Sequence, residues 1–434
     1  MKSYYNEQLN ETIYLETLEN GLNIAVLHKI KNVTTSAYLA FPYGALNLIQ
    51  KDKQGNQYPF NPGAAHFLEH KLFENHKGLD VMERFSMLSC NVNAFTSANE
   101  TVYYFNTTSL DIKEPLDLLL DFVQEFNITA ESVEKEKQII IQELRSYHQM
   151  PESRLMFETL QALYSQHPIK FDIGGSEESV NAITKEELDL CFKLNYHPKN
   201  ALLVIVSSMD PELLCAIAME NQDNKTFAPH IQLSDVEVIE PESVATTLKI
   251  VSMDIQSSKL TYSFKLKTQN LSDYDRANLE WQLRIYLELL FTSINPDYEN
   301  WIKNDIIHDY FGYDVEINKD YWYVMFYGET ENRDTFIELI ESTLKTDITP
   351  LLPYLRQLKR RYLSYAYRLL DDQDDYAIHY IRSYFSSLRL EDTIEIINNL
   401  NASDVYKVKN MLDTQHKAIV IVEKSQTGQN DTND

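Results

Sequence analysis

Two short apolar runs stand 217 residues apart and superpose residue for residue, Ala201-Leu202-Leu203-Val204-Ile205 on Ala418-Ile419-Val420-Ile421-Val422, the first run continuing to Val206. Each reads as a buried strand, and a helix start precedes each, at Thr184 in one case and Asn401 in the other. A repeat this long is a duplicated domain, not a solenoid period. The chain of 434 residues is also too long for one core. The expected fold class is therefore α+β: two homologous domains, each an antiparallel-rich sheet packed with helices. The expected boundaries are 1–225 for the first domain, 226–243 for a linker, 244–424 for the second domain and 425–434 for a disordered polar tail.

The elements before Val206 follow from pattern. Ile13–Leu18 and Leu22–Leu27 are strands about an Asn20-Gly21 turn, and Thr34–Phe41 is a third. A polar loop spans Lys51–Tyr58. Asn61 caps a helix of about three turns that has Pro62 at its first position. Leu79–Leu88 and Leu110–Glu125 are helices, with a hairpin over Asn91–Phe105 between them. A longer helix runs from Thr129, and Pro151 marks the region where it ends or bends. Thr184-Lys185-Glu186-Glu187 reads as a capping box.

The helix after Asn61 carries the chemistry. His66 and His70 are four apart, so both imidazoles lie on one face, and Glu69 leans to the same side. This is H-x-x-E-H, the inverted zinc-protease motif. Two neutral imidazoles suit Zn²⁺, and a carboxylate between them is placed to take a proton from a metal-bound water. A third ligand must come from elsewhere. Glu136 and Glu143 are seven apart on the helix from Thr129, hence on one face, and Ile139, Ile140 and Ile141 anchor that helix in a core. Glu143 is the best third ligand available. At the 217-residue offset, His66–His70 falls on Leu283–Leu287, in a helix without histidine, so the second domain copies the fold and not the metal site.

Composition excludes several classes. A net charge of −26 argues against nucleic acid and anionic membranes as partners. Only 10 glycines are present, and no phosphate loop motif appears. Cys90, Cys191 and Cys215 are an odd number with no C-x-x-C, which suggests reduced thiols in a cytoplasmic protein. No run approaches a membrane span.

With these residues in place the chain resembles the pitrilysin, insulysin and mitochondrial-processing-peptidase family of zinc peptidases, and most closely its half-length bacterial members. The hairpin residues Asn93-Ala94-Phe95-Thr96 and Glu100-Thr101-Val102-Tyr103 are similar to the family's N-A-x-T and E-T-x-Y edge strand. The resemblance implies that His66, His70 and Glu143 hold one Zn²⁺ per chain. It implies that Glu69 is the base, with Glu136 orienting a ligand histidine or the water. Asn93 and Ala94 would bind a peptide added to the sheet edge. Two domains would be half of a clamshell, so a related subunit is expected as partner, in a homodimer or heterodimer. Family members also carry an Arg and a Tyr seven apart that face the zinc site. Here the matching stretch has Lys303 and Tyr310, and Lys lacks the planar fork of Arg. The partner is expected to supply the pair. The competing expectation is a non-hydrolytic peptide-binding or structural subunit.

Overall fold

The computed structural model describes residues 1–7, 11–74 and 80–425, apart from the side chain of Leu390. The chain forms two compact units, each assembled from separate stretches. The first comprises Met1–Arg145, Phe171–Glu237 and Tyr367–Ser386. The second comprises Ser146–Lys170, Val238–Ala366 and Ser387–Asp434. The start of the Leu79–Leu88 helix and the tail from 426 lie outside the described residues.

Among the described residues the first unit holds ten strands: β1 Lys2–Asn6, β2 Glu11–Thr17, β3 Asn23–His28, β4 Thr35–Phe41, β5 Ile49–Asp52, β6 Gln57–Pro59, β7 Cys90–Thr96, β8 Thr101–Thr107, β9 Leu202–Ser207 and β10 Leu233–Asp235. Seven form one sheet in the order β1-β2-β3-β9-β4-β8-β7. β3 and β9 run parallel, and every other pair in the sheet is antiparallel. Every residue of β4 and of β9 is buried, as befits strands covered on both faces.

The second unit holds β11 Leu248–Met253, β12 Lys259–Lys265, β13 Gly312–Ile317, β14 Trp322–Glu329 and β15 Lys417–Lys424. Their order is β11-β15-β12-β14-β13. β11 and β15 are parallel and the remaining pairs antiparallel. This repeats β3-β9-β4-β8-β7 strand for strand, with the same senses. The two domains are homologous α+β units. Their offset is not uniform, however. β4 and β12 begin 224 residues apart, whereas β9 and β15 begin 215 apart. One fixed shift therefore does not set every equivalence between the halves.

Each sheet takes a helix from the half of the chain that builds the other. The Pro151–Leu163 helix packs on β11, β12 and β15, although 151–163 was expected in the first domain. The Gln373–Ser386 helix packs on β4 and β9. Gln373 fastens it there by donating to the Val206 carbonyl at 2.9 Å and to Ser36 Oγ at 3.0 Å. Thr159 shares a 2.7 Å hydrogen bond with Thr261 on the other sheet.

Local signals also gave way to distant partners elsewhere. The stretch Lys51–Tyr58, expected as a loop, contains the end of β5 and the start of β6, which pair as a hairpin, and β10, from the expected linker, pairs with β5. Ile140 and Ile141 are buried, but Ile139 is 54% exposed, because a helix turns one of three consecutive residues outward. Cys90, Cys191 and Cys215 are buried free thiols. No helix among the described residues is long and apolar enough to cross a membrane.

Candidate metal centre

The helix bearing the histidines runs Ala64–Leu72, two residues later than the Asn61 cap implies. Gly63 precedes it with φ +92°, a left-handed conformation that favours glycine. A Cβ on Gly63 would lie 2.4 Å from the Gly174 carbonyl, and one on Gly175 would lie 2.3 Å from that of Pro62. Backbone meets backbone here, so the Gly174-Gly175 loop fixes where the helix begins. Asn61 is held instead by Glu187, whose carboxylate accepts from its backbone N–H at 2.6 Å and its Nδ2 at 2.8 Å. Thr184 accepts from the Glu187 amide at 3.2 Å, so one half of the expected capping box is present while the Glu187 side chain points to the metal-site helix.

Phe67, Leu68 and Leu72 are fully buried and press the helix against β7, β8 and the Lys185–Asn195 helix. The opposite face presents His66 and His70, with ring centroids 4.6 Å apart. The Ala130–His148 helix brings Glu143 to them. Its Oε2 lies 4.0 Å from His66 Nε2 and 3.5 Å from His70 Nε2. One donor atom from each of the three lies within 4.8 Å of the others. Tetrahedral donors around a common Zn²⁺ sit roughly 3.3 Å from one another, so small side-chain movements would close this set.

Electrostatics favour a cation at this point. Glu136 accepts from His70 Nδ1 at 3.0 Å, which leaves Nε2, 3.5 Å from Glu143 Oε2, as the nitrogen available for ligation. That hydrogen bond, with help from Lys71, holds the Glu136 carboxyl below its ordinary value. Burial alone would lower His70, but Glu136 outweighs it and the net shift is upward. Burial and the neighbouring His70 push His66 down to about 3, so it stays neutral, the form a metal requires. His66 Nδ1 is buried without a partner, and Gly174 lies against it, where a Cβ would be 3.4 Å away. The donor set and its tautomers fit Zn²⁺.

Glu69 is buried beside the pair, and burial raises its pKa. Its Oε2 accepts a 2.5 Å hydrogen bond from Thr96 Oγ1. Thr96 ends β7, the edge strand that also carries Asn93 and Ala94. Asn93 is exposed, and its Oδ1 accepts from the Ala94 N–H at 2.9 Å. Lys71, 2% exposed, bridges Glu74, Glu136 at 3.7 Å and the Ser132 carbonyl at 3.3 Å. Sequence reasoning gave no role to Thr96, Lys71 or the Gly174-Gly175 pair. The glycine pair had one signal, adjacency in a chain with only 10 glycines. Lys303 pairs with Glu299 at 3.2 Å in solvent, and Lys259 sits over the Tyr310 ring, 4.5 Å from its centroid.

Residues 56–175 match the family described as "Insulinase (Peptidase family M16)", and residues 182–346 match "Peptidase M16 inactive domain". A Bacillus subtilis (strain 168) protein described as "uncharacterized zinc protease YmfH" is 32% identical over 404 residues, which span 93% of this chain and 94% of that protein. The chain belongs to peptidase family M16. A solved M16-like peptidase from Alicyclobacillus acidocaldarius is 27% identical, with a TM-score of 0.88 over 97% of this chain and 100% of that one. A Schizosaccharomyces pombe protein named as a mitochondrial-processing peptidase subunit beta is 26% identical over 265 residues, covering 59% of this chain and 55% of that protein. Zinc-protease names thus recur among the relatives of this M16 member.

Proposed function

We propose that this M16 protein is a zinc-dependent metalloendopeptidase that hydrolyses short or unfolded peptides. The observation that carries the reading is the convergence of His66, His70 and Glu143 to within 4.8 Å beside the buried Glu69. His66, His70 and Glu143 would hold one Zn²⁺, which when bound supplies a Lewis acid for the peptide carbonyl. Glu69 takes a proton from the attacking water and passes it to the leaving amine. Glu136 keeps His70 in the tautomer and orientation that ligation needs. β7 offers a free edge along Asn93 and Ala94, where an extended peptide adds as a strand. A non-hydrolytic subunit has no need of an intact H-x-x-E-H and a carboxylate as third ligand, and this chain keeps both.

Metal analysis with a quenched-peptide assay tests the reading. Zinc should be present at one per chain. Glu69→Gln should keep the zinc and lose activity by about 10²–10⁴-fold. A zinc-free protein, or a Glu69→Gln variant that cleaves at the wild-type rate, would end it.

The proposed partner is a related subunit that supplies the Arg/Tyr pair, because Lys303 lacks the planar fork of Arg. The subunit name of the S. pombe relative supports a paired arrangement. Full activity from a pure monomer in size-exclusion fractions would exclude it. Three buried free thiols support a reducing, cytoplasmic setting.

A further inference from the structure

The hydrogen bond between Thr96 and Glu69 joins two parts of the machinery that have separate jobs. Glu69 is the base, and β7 is the strand that would take the peptide. Side chains alternate along a strand, so Val92, Ala94 and Thr96 share the face that packs toward the core, while Asn93 points away from it. Thr96 therefore reaches Glu69 from the strand that would bind substrate.

The end of β7 is held from several directions. Thr96 pairs in register with Thr101, and Thr101 Oγ1 donates to the Tyr43 carbonyl at 2.8 Å. The Ser97 N–H donates to the Glu100 carbonyl at 2.8 Å and closes the turn. Ser97 and Ala98 carbonyls each accept from a neighbouring loop, from the Ala45 and Leu46 amides at 2.9 Å. Gly44 permits that approach, since a Cβ there would lie 2.6 Å from the Ser97 carbonyl. On the other side Arg382, from the Gln373–Ser386 helix, donates to the buried Glu100 carboxylate at 3.0 Å. A hydroxyl on so constrained a turn is a fixed point.

We propose that Thr96 is a positioning residue for Glu69: its hydroxyl fixes Oε2, leaves Oε1 for the water, and sets the base in register with a peptide on β7. The inference rests on the peptidase reading and adds the residue that aligns base and substrate strand. A base whose carboxylate rotates freely spends fewer encounters in line with the water, whereas peptide binding on the strand edge is untouched. The hydroxyl should therefore matter to kcat and not to KM.

The test uses zinc-loaded full-length protein and a quenched-fluorescent peptide that the wild type cleaves, with Thr96→Val, Thr96→Ala and Thr96→Ser. Thr96→Val keeps shape and β-branching without the hydroxyl. It should lower kcat by about 10-fold or more, with KM within about 2-fold. Thr96→Ser should recover most of the rate. Zinc content should equal that of wild type in all three, and peptide affinity measured in the Glu69→Gln background should not respond to Thr96→Val. If thermal melting shows that Thr96→Val is misfolded, Thr96→Ala decides.

A kcat within about 2-fold of wild type for the folded variants, a Thr96→Ser as slow as Thr96→Val, or a loss confined to KM overturns the proposal. Glu69→Gln, run in parallel, separates the two levels. If it is inactive while Thr96→Val is not impaired, only the Thr96 role falls. If Glu69→Gln cleaves that peptide as fast as the wild type, the peptidase reading falls and takes the Thr96 role with it.

Discussion

The Ala64–Leu72 helix and the Asp273–Phe291 helix hold the same place in two copies of one fold, between the equivalent strands β4 and β7 in one and β12 and β13 in the other. They differ in what they do with polar groups. The first helix turns His66 and His70 toward Glu143, and His66 Nδ1 is buried without a hydrogen-bond partner. The second carries a stripe of Glu280, Arg284 and Glu288, four residues apart, and pairs all of it. Arg284 Nε donates to Glu280 at 2.8 Å and its NH2 to the Val315 carbonyl at 2.6 Å. Glu288 accepts from Tyr313 at 2.7 Å, from Tyr362 at 2.9 Å and from Arg361. Leu283 and Leu287, where the 217-residue offset puts the histidines, are fully buried. One copy pairs its charged stripe with its own unit. The other gathers two imidazoles and a carboxylate as the donor set of the proposed zinc site.

The largest effect that sharpens this contrast lies in the two carboxylates of the Ala130–His148 helix. Glu143→Gln removes a donor from the set of three and should lose zinc and activity together, by about 10³-fold or more in activity. Glu136→Gln removes only the support of His70 and should weaken zinc by about 10–100-fold. Zinc titration against a chelator measures both. Equal losses would mean that the two roles are assigned wrongly.

The second helix should answer differently. Glu288→Ala strands Arg361 and two tyrosine hydroxyls in a partly buried place. It should cost about 2–3 kcal/mol in urea unfolding, with zinc content unchanged. A loss of zinc without a loss of stability would break the comparison.

The parts of this division that were legible in sequence were those set by local period. His66, Glu69 and His70 follow from 3.6 residues per turn. So does Glu143, seven residues after Glu136 beside an isoleucine run of which Ile140 and Ile141 are buried. The duplication was legible because β9 and β15 each carry a continuous apolar run, Leu202–Val206 in one and Ala418–Val422 in the other. Features decided by distant contacts were not. Asn61-Pro62 carries a good local cap signal, yet Glu187 takes Asn61 and the approach of Gly174 to Gly63 starts the helix later. Nothing in the composition of 151–163 or 373–386 tells which sheet each helix covers, because both sheets present buried strands of similar chemistry. Thr96 stood in a motif, but its bond to Glu69 depends on how β7 meets the helix.

The smallest effect tests whether the second unit's internal pairing extends to its exchanged segment. Glu240 lies in the stretch expected to be a linker, yet it binds the chain just after the Pro151–Leu163 helix. It accepts from the backbone amides of Ser165 at 2.9 Å, Gln166 at 2.7 Å and His167 at 2.7 Å, and from Lys265 at 2.6 Å. Burial alone would raise its pKa, but Lys265 and the three amides outweigh burial and bring it to about 2. In the unfolded chain a Glu titrates near about 4.3. A carboxylate held lower in the folded state binds fewer protons there, so its contribution is full above the unfolded value and fades as pH falls through about 4 toward 2. Urea midpoints of wild type and Glu240→Gln should therefore differ at neutral pH, draw together below about pH 4 and converge toward about pH 2, with zinc content at pH 7 equal in both. A difference that stays constant from neutral pH to about pH 3 would show that the Glu240 charge is not what ties the exchanged segment to its sheet, and that the second unit's self-sufficiency ends at its core.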